Sequence, residues 1–224
     1  LEAWRRNRYR RTGRYLEFRE KYSFNNYRQL SADAIRSFQL KRIQDIVRDA
    51  NQHSPFYRNR LGDVKHLDDI EQLPILSKSD LRQHMSTLVR DGYPVQNLLK
   101  GQSSGSTGTP LNLLISDESI KARFATLDNY YALFDCHYGD RRVRMGGSKI
   151  KPADDMKPPF WIMNKFDNQL QVSPYHLSEN TFPHYMSVLN AFAPVYFHGY
   201  AHALYNLAVL YREHGDCTYT PRAL

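Results

Sequence analysis

Three glycines and five hydroxyl residues fall within ten positions, Gly101-Gln102-Ser103-Ser104-Gly105-Ser106-Thr107-Gly108-Thr109-Pro110. Such a run suits neither a helix nor a strand interior. It suits a tight loop whose backbone N–H groups and hydroxyls converge on an anion. Glycine lets the backbone approach a ligand closely, and Ser and Thr add donors without bulk. The apolar run 111–115 that follows reads as a strand, so the loop is expected at a strand edge. A Walker A loop would feed a helix and carry Gly-Lys-Ser/Thr, and no lysine follows the second glycine here. A Gly/Ser linker would be longer and would lack the ordered alternation of hydroxyls and glycines.

A second group lies near the end of the chain. Residues 194–197 read as a short apolar strand opening onto His198-Gly199-Tyr200. Open α/β sheets bind ligands at the carboxyl ends of their strands, so these three are candidate pocket residues. A histidine satisfied by local hydrogen bonds is an equal reading of His198. Gly146-Gly147, after an expected strand over 141–145, either line the same cleft or only turn the chain. His198 and His202 stand four apart, as zinc ligands can, but no third ligand accompanies them, and no metal site is assigned. No Ser–His–Asp or Cys–His set follows from spacing.

The elements that must position these residues can be read in order. Ser31 or Asp33 caps a helix to about Ala50, with Ile35, Phe38, Ile43, Ile46, Val47 and Ala50 on its buried face. Ser54-Pro55 ends it. A short helical piece near 67–73 precedes a helix capped by Ser77 or Ser79 and running to about Leu88. Ser116 caps the next, to about Phe134, burying Ile120, Phe124, Leu127, Tyr131 and Phe134. Strands over 160–163 and 169–172 flank an Asp167-Asn168 turn. A helix over 178–192 buries Phe182, Met186, Leu189 and Phe192. The last, over 201–214, buries Leu204, Leu207, Ala208 and Tyr211 and stops at Gly215. Strands alternating with helices imply an α/β domain with a largely parallel sheet.

The 224 residues, 41% of them hydrophobic, suffice for one large or two small cored domains. No apolar run is long enough to span a membrane and no signal-peptide core opens the chain. Cys136 and Cys217 lie far apart, and reduced thiols in a cytoplasmic protein are the simplest reading. The net charge of +8 is concentrated. Residues 1–28 hold nine Lys/Arg against Glu2, Glu17 and Glu20, interleaved with Trp4, Tyr9, Tyr15, Phe18 and Tyr22. This arm could hold nucleic acid or an anionic membrane surface. The preferred reading is a helical arm that packs its aromatics on the body, leaves its arginines solvated and is dispensable for the fold.

Ser103, Ser104, Gly105, Ser106, Thr107, Gly108 and Pro110 match, position by position, the phosphate-binding loop of adenylate-forming enzymes, with Thr109 where most members carry lysine. His53-Ser54-Pro55-Phe56-Tyr57-Arg58 and the phrase over 73–82, Leu73-Pro74 to Asp80-Leu81-Arg82, resemble segments upstream of that loop in one branch of the superfamily. That branch holds the phenylacetate–CoA ligases, the coenzyme F390 synthetases and the capsular-polysaccharide CapK-like proteins. The basic arm is more similar to the latter two. The resemblance implies the N-terminal portion of the adenylate-forming fold: an arm over 1–28, a helical region over 29–98 and an α/β nucleotide-binding part over 99–224, with the C-terminal domain lying beyond.

Implied too are an AMP-forming ligase as the whole enzyme, ATP with Mg2+, a carboxylate substrate, CoA or another acceptor, and a setting in polysaccharide biosynthesis. Ser103, Ser104, Gly105, Ser106, Thr107, Gly108 and Thr109 would hold phosphate, and Gly146, Gly147, His198, Gly199 and Tyr200 would border the acyl pocket. The implied catalytic lysine has no counterpart in these 224 residues, so they are expected to be inactive by themselves. No nucleic-acid partner is expected, and the arm is the part that would meet a membrane. The competing reading is a non-catalytic binding module working through that basic arm.

Overall fold

The computed structural model describes residues 9–103, 110–215 and 217–224. In chain order the elements are α1 (Arg14–Lys21), α2 (Ala32–His53), α3 (Lys78–Gln83), α4 (Met85–Leu88), β1 (Leu99–Gln102), β2 (Asn112–Ile115), α5 (Asp117–Ala132), β3 (Arg142–Met145), β4 (Trp161–Asn164), β5 (Gln169–Val172), α6 (Phe182–Phe192), β6 (Tyr196–Gly199) and α7 (Ala201–His214). Two compact units result. One is Glu20–Arg123, and the other is Phe124–Leu224 with the described residues through Arg19. The described residues of the arm are divided between these units at Arg19.

In the unit Glu20–Arg123, Ser31 caps α2 by accepting from the Ala34 N–H at 3.2 Å. Beyond Ser54 the chain is tied back by side-chain amides: Asn51 Nδ2 donates to the Leu61 carbonyl at 2.8 Å, and Gln44 Nε2 to that of Val64 at 2.9 Å. Only Val47 of α2 is fully buried. Phe38 and Ile46, expected in the core, are exposed, since the partner of α2 is this narrow polar-tied segment rather than a broad sheet. The single helix expected through Leu88 is two pieces. A Ser77–Asp80 capping box starts α3, and the chain breaks at His84 before α4. Leu81, Met85, Leu88, Leu98 and Leu113 line an apolar cleft of about 350 Å³.

The second unit is built on a four-stranded sheet of order β4-β5-β3-β6. β3 pairs in parallel with β5 and β6, and only the edge strand β4 runs antiparallel, so the sheet is mainly parallel. Strand residues alternate between faces. One face carries Val143, Met145, Leu170, Val172 and Phe197 against Phe182, Tyr185 and Leu189 of α6 and Ala203, Leu207 and Leu210 of α7. Ala208, expected inside, is exposed, and Ala203 takes its place. α6 starts at Phe182 rather than Ser178, because Ser178 to Thr181 form a hydrogen-bonded turn ahead of it. Gly215 caps α7 in an extended conformation, not a left-handed one; its missing Cβ makes room for Met186 and Phe182.

The other sheet face carries Arg142, Arg144, Gln169, Gln171, Tyr196 and His198. The later turns of α5 and the arm lie on this side. Tyr131 stacks obliquely on Tyr196, ring centroids 5.2 Å apart. The buried face of α5 includes Asp128 and Asn129, while Phe134, expected inside, is exposed. Asp128 accepts from Arg11 Nε at 2.6 Å, Arg11 Nη2 at 3.0 Å and the Tyr15 hydroxyl at 2.8 Å. Asn129 donates to the Arg19 carbonyl at 2.8 Å. Tyr15 and Phe18 are buried. The aromatics thus pack inward as expected, but Arg11 is not solvated: it is paired and covered by the rings of Tyr138 and Phe124. The arm contributes to the fold.

Candidate functional site

The hydroxyl–glycine run begins inside β1, whose last residues are Gly101 and Gln102, and its remainder leads in sequence to β2. β1 and β2 are antiparallel, Leu99 opposite Ile115 and Gln102 opposite Asn112. β1 was not expected, since Lys, Gly and Gln are poor strand formers, and it is the pairing with β2 that forms it. Ser103 closes the base of the connection twice. Its N–H donates to the Leu111 carbonyl at 2.9 Å, and its hydroxyl accepts from the Leu111 N–H at 2.9 Å. Joining the two ends removes part of the loop-closure entropy that ligand binding would otherwise meet. Ser104, Gly105, Ser106, Thr107, Gly108 and Thr109 lie outside the described residues.

In the other unit the carboxyl ends of β3 and β6 lie side by side, Met145 opposite Gly199. This brings Gly146, Gly147, Gly199 and Tyr200 together. A Cβ on Gly199 would stand 2.5 Å from the Met145 carbonyl oxygen, so no larger residue fits this approach. The same carbonyl accepts from the Tyr200 N–H at 3.0 Å. The Tyr200 ring then covers Gly147, where a Cβ would lie 2.7 Å from the phenol oxygen. Tyr200 itself is 62% exposed. A flat glycine floor beside an exposed phenol can receive a planar or chain-like ligand.

His198 is one residue before the strand end. Its Nδ1 is hydrogen-bonded to the Tyr131 hydroxyl, and the two rings meet edge-on with centroids 5.8 Å apart. Burial pushes the Tyr131 phenol up to about 12, overriding the opposite pull of the nearby Arg142 and Arg144 charges. Its hydroxyl therefore keeps its proton at neutral pH and can donate it to Nδ1. Next to His198 in the register is Arg144, and Gln171 follows on the far side. Arg142, one pleat below, is engaged by the Gln169 amide oxygen at 2.8 Å and by Tyr196.

Tyr131 and Arg144 were not singled out from sequence. Tyr131 reads as one more apolar-stripe residue of α5, and Arg144 as part of a short strand; the pairing of β3 with β6 puts Arg144 beside His198, and the placement of α5 brings Tyr131 to it. His202 lies on α7, bonded to Asn206, away from the Tyr131 partnership of His198. Among the described residues no three His, Cys, Asp or Glu side chains cluster to hold a metal ion.

A Ser–His pair does occur, but it is structural. The Ser173 hydroxyl lies 2.7 Å from His176 Nδ1, and His176 Nε2 lies 3.0 Å from the Pro152 carbonyl. A carbonyl can only accept, so Nε2 carries the proton and Nδ1 accepts from Ser173. Both residues are buried, with Phe160 stacked on the imidazole. The pair ties the loop before β4 to the sheet.

No protein-family model matches the chain. It is 28% identical over 193 residues to Protein CapK of Staphylococcus aureus, an alignment covering 83% of this chain and 42% of that protein. Among solved structures, 2-hydroxyisobutyryl-CoA ligase, in complex with 2-HIB-AMP and CoA in the thioesterification state, superposes with a TM-score of 0.52 at 20% identity. That match covers 82% of this chain and 41% of the ligase. The chain thus spans less than half the length of either protein, and the likeness to the ligase is one of fold. The resemblance that the motifs carry to the CapK-like branch is matched in sequence by CapK, and in fold the chain is similar to 2-hydroxyisobutyryl-CoA ligase.

Proposed function

We propose that the chain carries the phosphate-holding and acyl-side parts of an AMP-forming ligase. The observation behind this is the hydroxyl–glycine connection 101–110, with its base closed by Ser103 and Leu111, in a chain similar to CapK. In this reading Ser103, Ser104, Gly105, Ser106, Thr107, Gly108 and Thr109 surround the β- and γ-phosphates of ATP. Their donors offset charge on the leaving pyrophosphate as it develops. A carboxylate oxygen of the substrate attacks the α-phosphorus, and the bond from that phosphorus to the β-bridging oxygen breaks. The products are acyl-AMP and pyrophosphate. An acceptor such as the CoA thiol then takes the acyl group and releases AMP.

Gly146, Gly147, His198, Gly199 and Tyr200 form the acyl side of this reading. Mg2+ would accompany the nucleotide through phosphate oxygens. A place in capsular or extracellular polysaccharide biosynthesis follows from the CapK similarity and belongs to the same proposal. The competing module reading has less support, because Arg11, Tyr15 and Phe18 are spent inside the fold. Titration calorimetry with ATP and with pyrophosphate tests the loop. Binding should be weak in the native chain and lost in Gly105→Val and Gly108→Val; equal heats in all three would sink the assignment.

A further inference from the structure

On and over the polar face of the sheet in the later unit the charged side chains are hydrogen-bonded, with one exception among the described residues. Asp128 is taken by Arg11 and Tyr15. Asp167 accepts from Tyr138 at 2.9 Å and Asn164 at 2.7 Å. Arg142 is held by Gln169 and Tyr196. Arg144 is exposed at the carboxyl end of the central parallel strand, and no hydrogen bond or ion pair to it occurs among the described residues. Its neighbours across the register are Gln171 and His198, roughly 5 Å to each side. Its Nε lies over Gly146, where even an added Cβ would come no nearer than 3.7 Å to it.

We propose that Arg144, with Gln171 and His198 beside it, is an oxyanion-binding residue that selects acids carrying a second carboxylate. This rests on the reading of the strand ends as the acyl side of the site. A guanidinium grips a carboxylate through two parallel N–H···O bonds. Held so, both oxygens are occupied and their electron density is drawn off, which makes that carboxylate a poor nucleophile toward phosphorus. The carboxylate that Arg144 holds is therefore not the one that reacts. The fitting substrate class is a small dicarboxylate, anchored by one end at Arg144 and activated at the other.

The test uses the 224-residue chain with glutarate and, as its singly charged counterpart, butyrate. Phenylglyoxal modifies accessible guanidinium groups, and peptide mapping reads each arginine separately. Glutarate should protect Arg144 at concentrations where butyrate, weaker by the lost second contact, does not, and Arg142 should be unchanged by either. By NMR, glutarate should bind about ten- to hundredfold tighter than butyrate, the usual worth of hydrogen bonds to a charged group. Arg144→Gln should abolish that preference while leaving the melting temperature unchanged. Equal binding of the two acids, with shifts at Gly147 and Tyr200, would overturn the dicarboxylate proposal and keep the strand ends as an acyl site. Shifts confined to other surfaces would overturn both.

Discussion

Asp128 gathers three hydrogen bonds in a buried setting, two from Arg11 and one from Tyr15. Its side chain and that of Arg11 are 4% and 8% exposed, and the pair is bidentate. Removing one member of such a pair leaves an uncompensated buried charge, typically at a cost of about 3–5 kcal/mol. Asp128→Asn should lower stability by that order in a urea melt, whereas Arg11→Met combined with Asp128→Leu should recover much of the loss. A double variant no better than the single would show that the hydrogen bond to Tyr15, not the ion pair, is what matters. Alkaline pH probes the same region. Burial, followed by the Asp128 charge, pushes Tyr15 up to about 12, and burial does the same to Tyr131. Between their ordinary value near 10 and 12, the unfolded chain loses these protons and the folded chain keeps them. Stability is therefore unaffected by these groups below pH 10 and falls as pH rises through 12. Absorbance at 295 nm should show a late phenol titration that coincides with loss of circular dichroism; completion of all tyrosine ionisation near pH 10 in the folded chain would contradict this.

At the scale of elements, close approach rather than propensity decides which substitutions hurt. A methyl on Gly199 meets the Met145 backbone carbonyl, which cannot move without parting β3 from β6. A methyl on Gly215 meets the Met186 sulfur, at the far end of an adaptable side chain. Gly199→Ala should thus cost about 1–3 kcal/mol and Gly215→Ala distinctly less; the reverse order in denaturant melts would refute the packing argument. Ser103→Ala should cost about 1 kcal/mol through the lost acceptor for the Leu111 N–H and should also weaken pyrophosphate binding. The same contrast explains what the sequence could reveal. β2, β4 and β6 announce themselves by apolar stretches, β3 and β5 by strict alternation of polar and apolar residues, and α2 by its Ser31 cap. β1 does not, because Leu-Lys-Gly-Gln becomes a strand only against β2. Nor could the inward turn of Asp128 be read on α5, since its partners stand more than a hundred positions earlier. At the candidate site the glycines at the strand ends were visible as breaks in apolar runs, whereas Arg144 and Tyr131 needed the parallel pairing and the helix placement to be seen.

At the scale of the molecule, the basic arm changes character once it is folded. Nine cations in its first 28 residues suggest a solvated appendage, yet its described residues through Arg19 belong with residues 124–224 in one compact unit. Three kinds of interaction hold it there. Tyr15 and Phe18 are 7% and 8% exposed, each worth about 1.5–3 kcal/mol of apolar burial. Arg11 is sandwiched between the Tyr138 and Phe124 rings, at 3.9 and 4.9 Å from their centroids. The Arg19 carbonyl accepts from the otherwise buried Asn129 amide. Deleting residues 1–19 would expose the side of α5 they cover and strand Asp128 without its cation. Losses of this size, at about 2–4 °C per kcal/mol for a chain of this length, predict a drop in melting temperature of about 10–20 °C. Because residues 9–19 belong to only one of the two units, the damage should be local. Hydrogen exchange in the deletion variant should rise over α5, β3 and β6 and stay near native values over α2 and the tie from Asn51 to Leu61. Exchange unchanged everywhere, with an unchanged melting temperature, would return the arm to the role of a detachable charged tail.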